Sequence, residues 1–279
     1  ERAVSILCEA VDTGKKIRIV GDYDIDGVCS TYILLQAFER LGSDVDFEIP
    51  DRIKDGYGIN ESIIEQAHAD GVEVILTCDN GISAFHQVEL AKKYGMTVVI
   101  TDHHEVPLDG EKEKIPPADA VIDPKQADCP YPFPEICGAV VAYKLVQVLY
   151  ARRGVPQMEW LDLLEFAAIA TVGDVMKLQD ENRILVKYGL KKMAQTKNLG
   201  LRRLAEKNNL DLGAITAYHI GFVIGPCLNA GGRLKTAKEA LALLRAQSEE
   251  EAERLAEELK ELNDTRKDMT EQGTEAAKL

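Results

Sequence analysis

The chain is short of positive charge: 33 Lys and Arg stand against 47 Asp and Glu, a formal net charge of −14 over 279 residues. A uniformly basic surface of the kind that drives phosphate binding is thereby excluded. Aromatic residues are scarce as well, at 6% with one Trp, which leaves few rings on which unpaired bases can stack. No run of about eighteen apolar residues occurs, so no membrane-spanning helix and no membrane partner are expected. The opening stretch, ERAVSILCEAVDTGKK, is amphipathic and lacks the hydrophobic core of a signal peptide. Six cysteines (Cys8, Cys29, Cys78, Cys129, Cys137 and Cys227) are scattered without a CxxC pair, which argues against a disulfide frame or a structural zinc site and for reduced, mostly buried thiols. The expected compartment is the cytoplasm.

What is present is the material of a folded protein. A hydrophobic content of 46% with 29% charged residues suits one large domain or two ordinary ones. The charge is unevenly spread. From Arg183 to Lys207 eight basic residues (Arg183, Lys187, Lys191, Lys192, Lys197, Arg202, Arg203 and Lys207) meet one acid, Glu206, which predicts a local basic face, while Glu249 to Glu261 holds seven glutamates. A solvated helix face is the commoner meaning of either run.

Over the first 125 residues, short β-branched runs alternate with amphipathic stretches, the pattern of a parallel, Rossmann-like α/β sheet flanked by helices. Strands are expected at 17–20, 45–49, 72–77, 97–101 and 120–122, with helices such as 28–40 and 84–94 between them. The segment DPKQADCPYPFPE, 123–135, is too rich in proline for either element and predicts a connecting loop. Residues 136–245 read as mainly helical, with spacing for helices at 138–150 and 160–171, so that 1–245 forms one domain. Beyond 245, Ser248-Glu-Glu-Glu251 has the pattern of a capping box, and Ala252, Leu255, Ala256, Leu259 and Leu262 follow at helical spacing. A long helix over 246–279 is expected, either a connector toward a further domain or a terminal helix folded back on its own.

Three polar clusters each follow directly on a predicted strand: Asp22-Tyr-Asp24-Ile-Asp26-Gly27 after IRIV, Asp79-Asn-Gly after VILTC, and Asp102-His103-His104 after TVVIT. In an open parallel sheet the carboxyl ends of the strands share one edge, so these groups converge in one crevice. Carboxylates that close raise one another's pKa unless a counter-charge intervenes. Two divalent cations, Mn2+ or Mg2+, match oxygen and imidazole ligands, and a carboxylate bridging ions about 4 Å apart would clamp a phosphate beside an activated water. Asp174, just past the helix expected at 160–171, extends the set. Taken singly, each piece has a structural reading as a helix cap or polar turn.

These motifs together resemble the RecJ branch of the DHH phosphoesterase superfamily. Asp22-Tyr-Asp-Ile-Asp-Gly27, Asp79 in TCDNGIS, Asp102-His-His104 and Asp174 in VGDVM match four of its signatures in order. The segments DRIKDGYG at 51–58, CPYPF at 129–133 and IGPCLNAGGR at 224–233 extend the match over nearly the whole chain. The resemblance implies a DHH domain in which Asp24, Asp26, Asp79, His103 and Asp174 bind two metals, with Asp79 as the bridge and Asp22, Asp102 and His104 at the reacting centre. It further implies that Arg52 and Arg233 hold a DNA backbone or a terminal 5′ phosphate, and that Asn229, with Gly231 and Gly232, lets phosphates approach backbone amides. The implied activity is exonucleolytic hydrolysis of single-stranded DNA from the 5′ end in recombination and repair, with a single-strand-binding protein or a helicase as possible partner. The alternative within the superfamily is a phosphodiesterase of short oligoribonucleotides or cyclic dinucleotides. An inactive scaffold is disfavoured because every expected ligand is present. A dinucleotide-binding enzyme is disfavoured because GDYDIDG lacks GxGxxG. Nothing in the chain matches the glycine-rich second domain of the complete proteins.

Overall fold

A computed structural model of the chain describes residues 1–52 and 56–276. After a first helix, α1 (Arg2–Asp12), the chain alternates strand and helix: β1 (Ile17–Val20), α2 (Ile25–Arg40), β2 (Val45–Glu48), α3 (Glu61–Ala69), β3 (Val74–Cys78), α4 (Phe85–Lys93) and β4 (Thr97–Thr101). A small antiparallel ribbon, β5 (Leu108–Asp109) and β6 (Lys112–Glu113), precedes β7 (Ala120–Ile122). The main sheet is wholly parallel with strand order β2-β1-β3-β4-β7. Side chains alternate across it. Ile17, Ile19, Leu76 and Val99 join a core with α1, α2 and the later helix at 138–152, while Val20, Ile75, Val98 and Ile100 pack on α3 and α4. Covering both faces leaves the strand ends as the place for polar groups. Their register aligns those ends: Val20 lies beside Thr77, Cys78 beside Thr101, and Thr101 beside Ile122.

Residues 123–135 form neither helix nor strand, as their prolines require. The helical part follows with α5 (Gly138–Arg152), α6 (Gln157–Leu161), α7 (Leu164–Gly173), α8 (Asp180–Met193), α9 (Leu199–Lys207), α10 (Ala217–His219), a π-helical turn at Ile220–Ile224, α11 (Gly225–Leu234) and α12 (Lys238–Arg245). The helix expected over 160–171 is thus two, broken after Leu161.

The last helix, α13 (Glu249–Ala276), begins nearly as its sequence suggests. Ser248 Oγ accepts the Glu251 N–H at 3.1 Å, although the Glu251 carboxylate takes the Gln247 N–H, also at 3.1 Å, rather than that of Ser248. Ala252, Leu255, Ala256 and Leu259 are buried and α13 packs on α9, α11 and α12, so its first half belongs to the domain core. Residues 267–275 are exposed. No helix among the described residues is long and apolar enough to cross a membrane.

Candidate metal centre

Each polar cluster is held by the element it terminates. Asp24 caps α2, its Oδ1 accepting the N–H groups of Asp26 and Gly27 at 2.9 and 3.0 Å. This cap sets the start of α2 at Ile25, three residues earlier than the apolar spacing suggested, and places Asp26 in its first turn. Asp26 then reaches across to the start of α5, where the N–H groups of Gly138 and Ala139 each donate to one of its oxygens at 2.7 Å. A carboxylate at a helix N-terminus is stabilised by the unpaired amides and the helix dipole.

Asp79 leaves β3 with φ +62°, a left-handed conformation that Asp tolerates better than most residues. Its N–H donates to Thr101 O at 3.1 Å and its carbonyl accepts the Tyr57 hydroxyl at 3.1 Å, which fixes that turn. His103 follows β4 and stands between the carboxylates, with Nε2 at 3.1 Å from Asp79 Oδ1, 3.5 Å from Asp26 Oδ2 and 3.9 Å from Asp174 Oδ2. Asp174 reaches this point from the C-terminal cap of α7.

Donor atoms within 4.8 Å of one another form three trios: Asp22, Asp24 and Asp79; Asp79, His103 and His104; Asp26, His103 and Asp174. Asp79 and His103 each belong to two. Burial raises the pKa of Asp22 to about 7, helped by the charge of Asp24, and raises that of Asp174 to about 7, helped by Asp26 and Asp24. Burial and the neighbouring carboxylates also push Asp24 up and Asp79 well up. Asp22 Oδ1 is buried without a hydrogen-bond donor. Such crowding is what bound cations relieve. Burial raises the pKa of the Cys78 thiol to about 12 and those of Cys29 and Cys137 well above the usual range, and no cysteine joins a ligand trio among the described residues. Oxygen and imidazole donors without thiolate fit manganese or magnesium.

All five residues expected as ligands, Asp24, Asp26, Asp79, His103 and Asp174, meet here, and Asp22 and His104 join them. Asp102 does not, although the sequence placed it at the reacting centre. Its buried carboxylate accepts the N–H groups of Ile82 (2.9 Å), His103 (2.8 Å) and His104 (3.3 Å), and lies 2.7 Å from His104 Nδ1. Burial opposes its ionisation, but these donors hold its pKa below the usual value. Asp102 therefore positions the histidine pair. In return its hydrogen bond raises the pKa of His104.

Arg52, Asn229 and Arg233 do converge, lining with Asp24 a cavity of ≈ 300 Å³ beside the cluster. Arg52 lies 5.3 Å from the Tyr23 ring centroid. Residues 53–55 of the DRIKDGYG segment lie outside the described residues. Asn229 also has a structural contact: its Oδ1 accepts the Ile25 N–H at 2.7 Å, which ties α11 to the start of α2. Gly231 and Gly232 likewise serve packing, since a Cβ would strike Thr236 O and Tyr23 O respectively. Half of the expected basic face is neutralised, because Arg202, Arg203 and Lys207 pair with Glu249, Glu253 and Glu257 of α13 and Lys192 pairs with Asp162. One functional neighbour was missed. The Tyr57 hydroxyl lies 3.2 Å from the His104 ring nitrogens, and its place in the DRIKDGYG motif was the available signal.

The fold and this cluster define a phosphoesterase-type metal site at the carboxyl edge of a parallel sheet, and the chain belongs to the DHH family: the model of that family's N-terminal domain matches residues 16–171. Among curated proteins it is similar to the single-stranded-DNA-specific exonuclease RecJ of Bacillus subtilis, 39% identical over 277 residues, covering 99% of this chain and 34% of that protein. The Escherichia coli protein of the same name is 39% identical over 284 residues, 98% of this chain and 48% of that protein. The chain therefore spans between a third and a half of these relatives. Among solved structures, an exonuclease RecJ bound to manganese superposes with a TM-score of 0.86 at 36% identity, covering 96% of this chain and 66% of that one. RecJ of Thermus thermophilus in complex with Mn2+ gives 0.82 at 34%, covering 96% and 38%.

Proposed function

We propose that the chain is a two-cation phosphodiesterase that removes nucleotides from the 5′ end of single-stranded DNA, in cytoplasmic recombination and repair. The observation that carries this reading is the overlap of three ligand trios through Asp79 and His103, which suits two ions sharing ligands. Asp24, Asp26, Asp79, His103 and Asp174 would hold manganese or magnesium, with Asp22 and His104 on the margin of the same cluster. Cations bound there supply charge for the crowded carboxylates, Lewis acidity toward the phosphate and a water of lowered pKa.

The protein's own groups do the remaining work. Asp26 is pinned by the Gly138 and Ala139 amides, so its oxygens hold one orientation. Asp102 fixes the His104 ring and keeps a proton on it more readily, so His104 can donate a hydrogen bond to a phosphate oxygen. The forks of Arg52 and Arg233, on the walls of the adjoining cavity, suit a terminal phosphate. The substrate draws support from the relatives named as single-stranded-DNA-specific exonucleases, which match this chain almost from end to end. Residues 1–245 with the docked half of α13 make the catalytic domain.

The test is to incubate the chain with manganese and single-stranded DNA labelled at either end, beside duplex DNA, short RNA and cyclic dinucleotides, with Asp79→Asn as control. Release of the 5′ label from single strands alone is the expected result. Turnover confined to short RNA or cyclic dinucleotides would replace this substrate with a small one.

A further inference from the structure

At the end of α7 away from the metal centre, a separate cavity of ≈ 380 Å³ shares no residue with the one that holds Arg52 and Arg233. Glu165, in the first turn of α7, lines it, and Asp174 caps the other end of the same helix. At 1.5 Å per residue the two are about 13 Å apart. Hydrogen bonds fix the walls. Asn198 Nδ2 donates to the Tyr32 hydroxyl at 3.1 Å and to Leu244 O at 2.7 Å. The Asn198 N–H donates to the Thr196 hydroxyl at 3.1 Å, and that hydroxyl donates to Glu165 Oε1 at 2.7 Å. The other oxygen, Oε2, has no hydrogen-bond partner among the described residues, on a side chain that is only 4% exposed. A buried acceptor left so costs free energy until a donor meets it. Tyr32 and Phe166, with ring centroids 4.2 Å apart, and Leu244 supply an apolar wall. Lys192, Lys197 and Arg245 add three cations to the lining. Lys192 and Arg245 each hold one carboxylate, of Asp162 and Glu39, while Lys197 is exposed.

We propose that this cavity is a noncatalytic site for a nucleoside monophosphate, with a base N–H on Glu165 Oε2, the base against the Tyr32 and Leu244 wall, and the phosphate toward Lys197. The inference rests on the phosphodiesterase reading, under which nucleoside monophosphates are what the metal centre releases, and goes beyond it by giving that product a second place to bind. Three features of the lining select the ligand class. The buried acceptor calls for an N–H or O–H donor, which a phosphate or carboxylate ion alone does not bring. The apolar wall calls for a flat apolar body, which a sugar phosphate lacks, and the cations call for an anionic group, which a free base lacks. An apolar cavity with a few placed polar groups is the usual form of a small-molecule site. Guanine carries N–H donors on adjacent atoms, so dGMP is the probe.

Calorimetric titration of the whole chain with dGMP decides it, with EDTA present so that no cation at the cluster draws the phosphate. The parent is expected to bind one dGMP, and to bind deoxyribose 5-phosphate and inorganic phosphate about tenfold or more weakly. Glu165→Met, which keeps the length of the side chain and removes the acceptor, is expected to weaken dGMP about tenfold or more. Lys197→Ala, at an exposed position, is expected to weaken it about threefold with no change in melting temperature. Arg233→Ala is expected to bind dGMP as the parent does. No binding by the parent, or equal binding by the parent and Glu165→Met, overturns the site, and turnover of single-stranded DNA in manganese would still support the phosphodiesterase reading. Loss of binding in Arg233→Ala moves the nucleotide to the cavity beside the cluster and overturns the site as well. Equal affinity for inorganic phosphate and dGMP overturns it in favour of a simple anion site. Binding of dGMP here without turnover of any phosphodiester would remove the phosphodiesterase reading and leave the nucleotide site standing.

Discussion

Replacing Gly138 by alanine tests whether the start of α5 sets the geometry of the cluster. The added Cβ would lie 2.7 Å from both Cβ and Oδ1 of Asp79 and 2.9 Å from its Cγ. Nonbonded carbons rest at about 3.5 to 4.0 Å, so roughly 1 Å of separation must be found. Asp79 cannot yield at its tip, because the clash is at the root of its side chain. Gly138 cannot yield easily either, since its N–H is bonded to Asp26 and the residues after it, Ala139 to Ala142, are buried. Overpacking of this kind costs about 1 to 3 kcal/mol, so Gly138→Ala should fold with reduced stability. The larger effect falls on function: a displacement of about 1 Å in a positioned group is worth on the order of a hundredfold in rate. Urea unfolding, calorimetric titration with manganese and turnover at saturating manganese separate the effects. A variant with the parent's manganese affinity and turnover would refute the claim that the α5 start shapes the cluster.

Glu165 gives a pH prediction away from the cluster. Burial raises its pKa from 4.5 to about 7 against a partly compensating hydrogen bond from Thr196. The folded state thus binds the proton more tightly than the unfolded chain: the contribution is complete below about pH 4.5 and is lost as pH rises through about 7. Since 2.5 pKa units correspond to at most about 3.4 kcal/mol, the stability of Glu165→Gln should fall less than the parent's between pH 6 and pH 8.5. Parallel urea midpoints across that range contradict this. Manganese at a hundred times its dissociation constant adds about 2.7 kcal/mol and should raise the melting temperature by on the order of 5 °C. Asp79→Asn, which keeps a residue tolerant of positive φ, should remove most of that rise, and an undiminished rise would place the ions elsewhere. Asn229→Ala leaves the Ile25 N–H without its acceptor and should cost about 1 to 3 kcal/mol in urea unfolding. A loss of DNA affinity with no loss of stability would restore the phosphate-contact role instead.

The strand ends were legible because fully buried parallel strands are written as short β-branched runs, and the acids after IRIV, VILTC and TVVIT stand out against them. What those acids do was less legible. Asp24 and Asp102 look alike as aspartates beyond a strand, but one faces the cluster while capping α2 and the other is saturated by amides. Only the three-dimensional supply of donors separates them. The contact of Asn229 was illegible for a related reason: its partner, Ile25, lies 204 positions away. The pairing of Arg202, Arg203 and Lys207 was illegible because the glutamates that neutralise them come from α13, which sequence proximity does not reveal. The break after Leu161 was invisible because Trp160 to Leu164 keeps helical spacing across it.

The docking of α13 makes it a stiff lever. At 1.5 Å per residue its 28 residues span about 42 Å, and the part beyond Asn263, its last buried residue, runs on for about 20 Å. Its grip on the domain combines apolar burial with the ion pairs of Arg203 and Lys207 to Glu249, Glu253 and Glu257. A tilt of about 5° at that grip would swing the far tip by nearly 2 Å by simple proportion, an amplification fixed by helix length. Ionic strength loosens exposed ion pairs, so the angle of this arm is open to adjustment by salt.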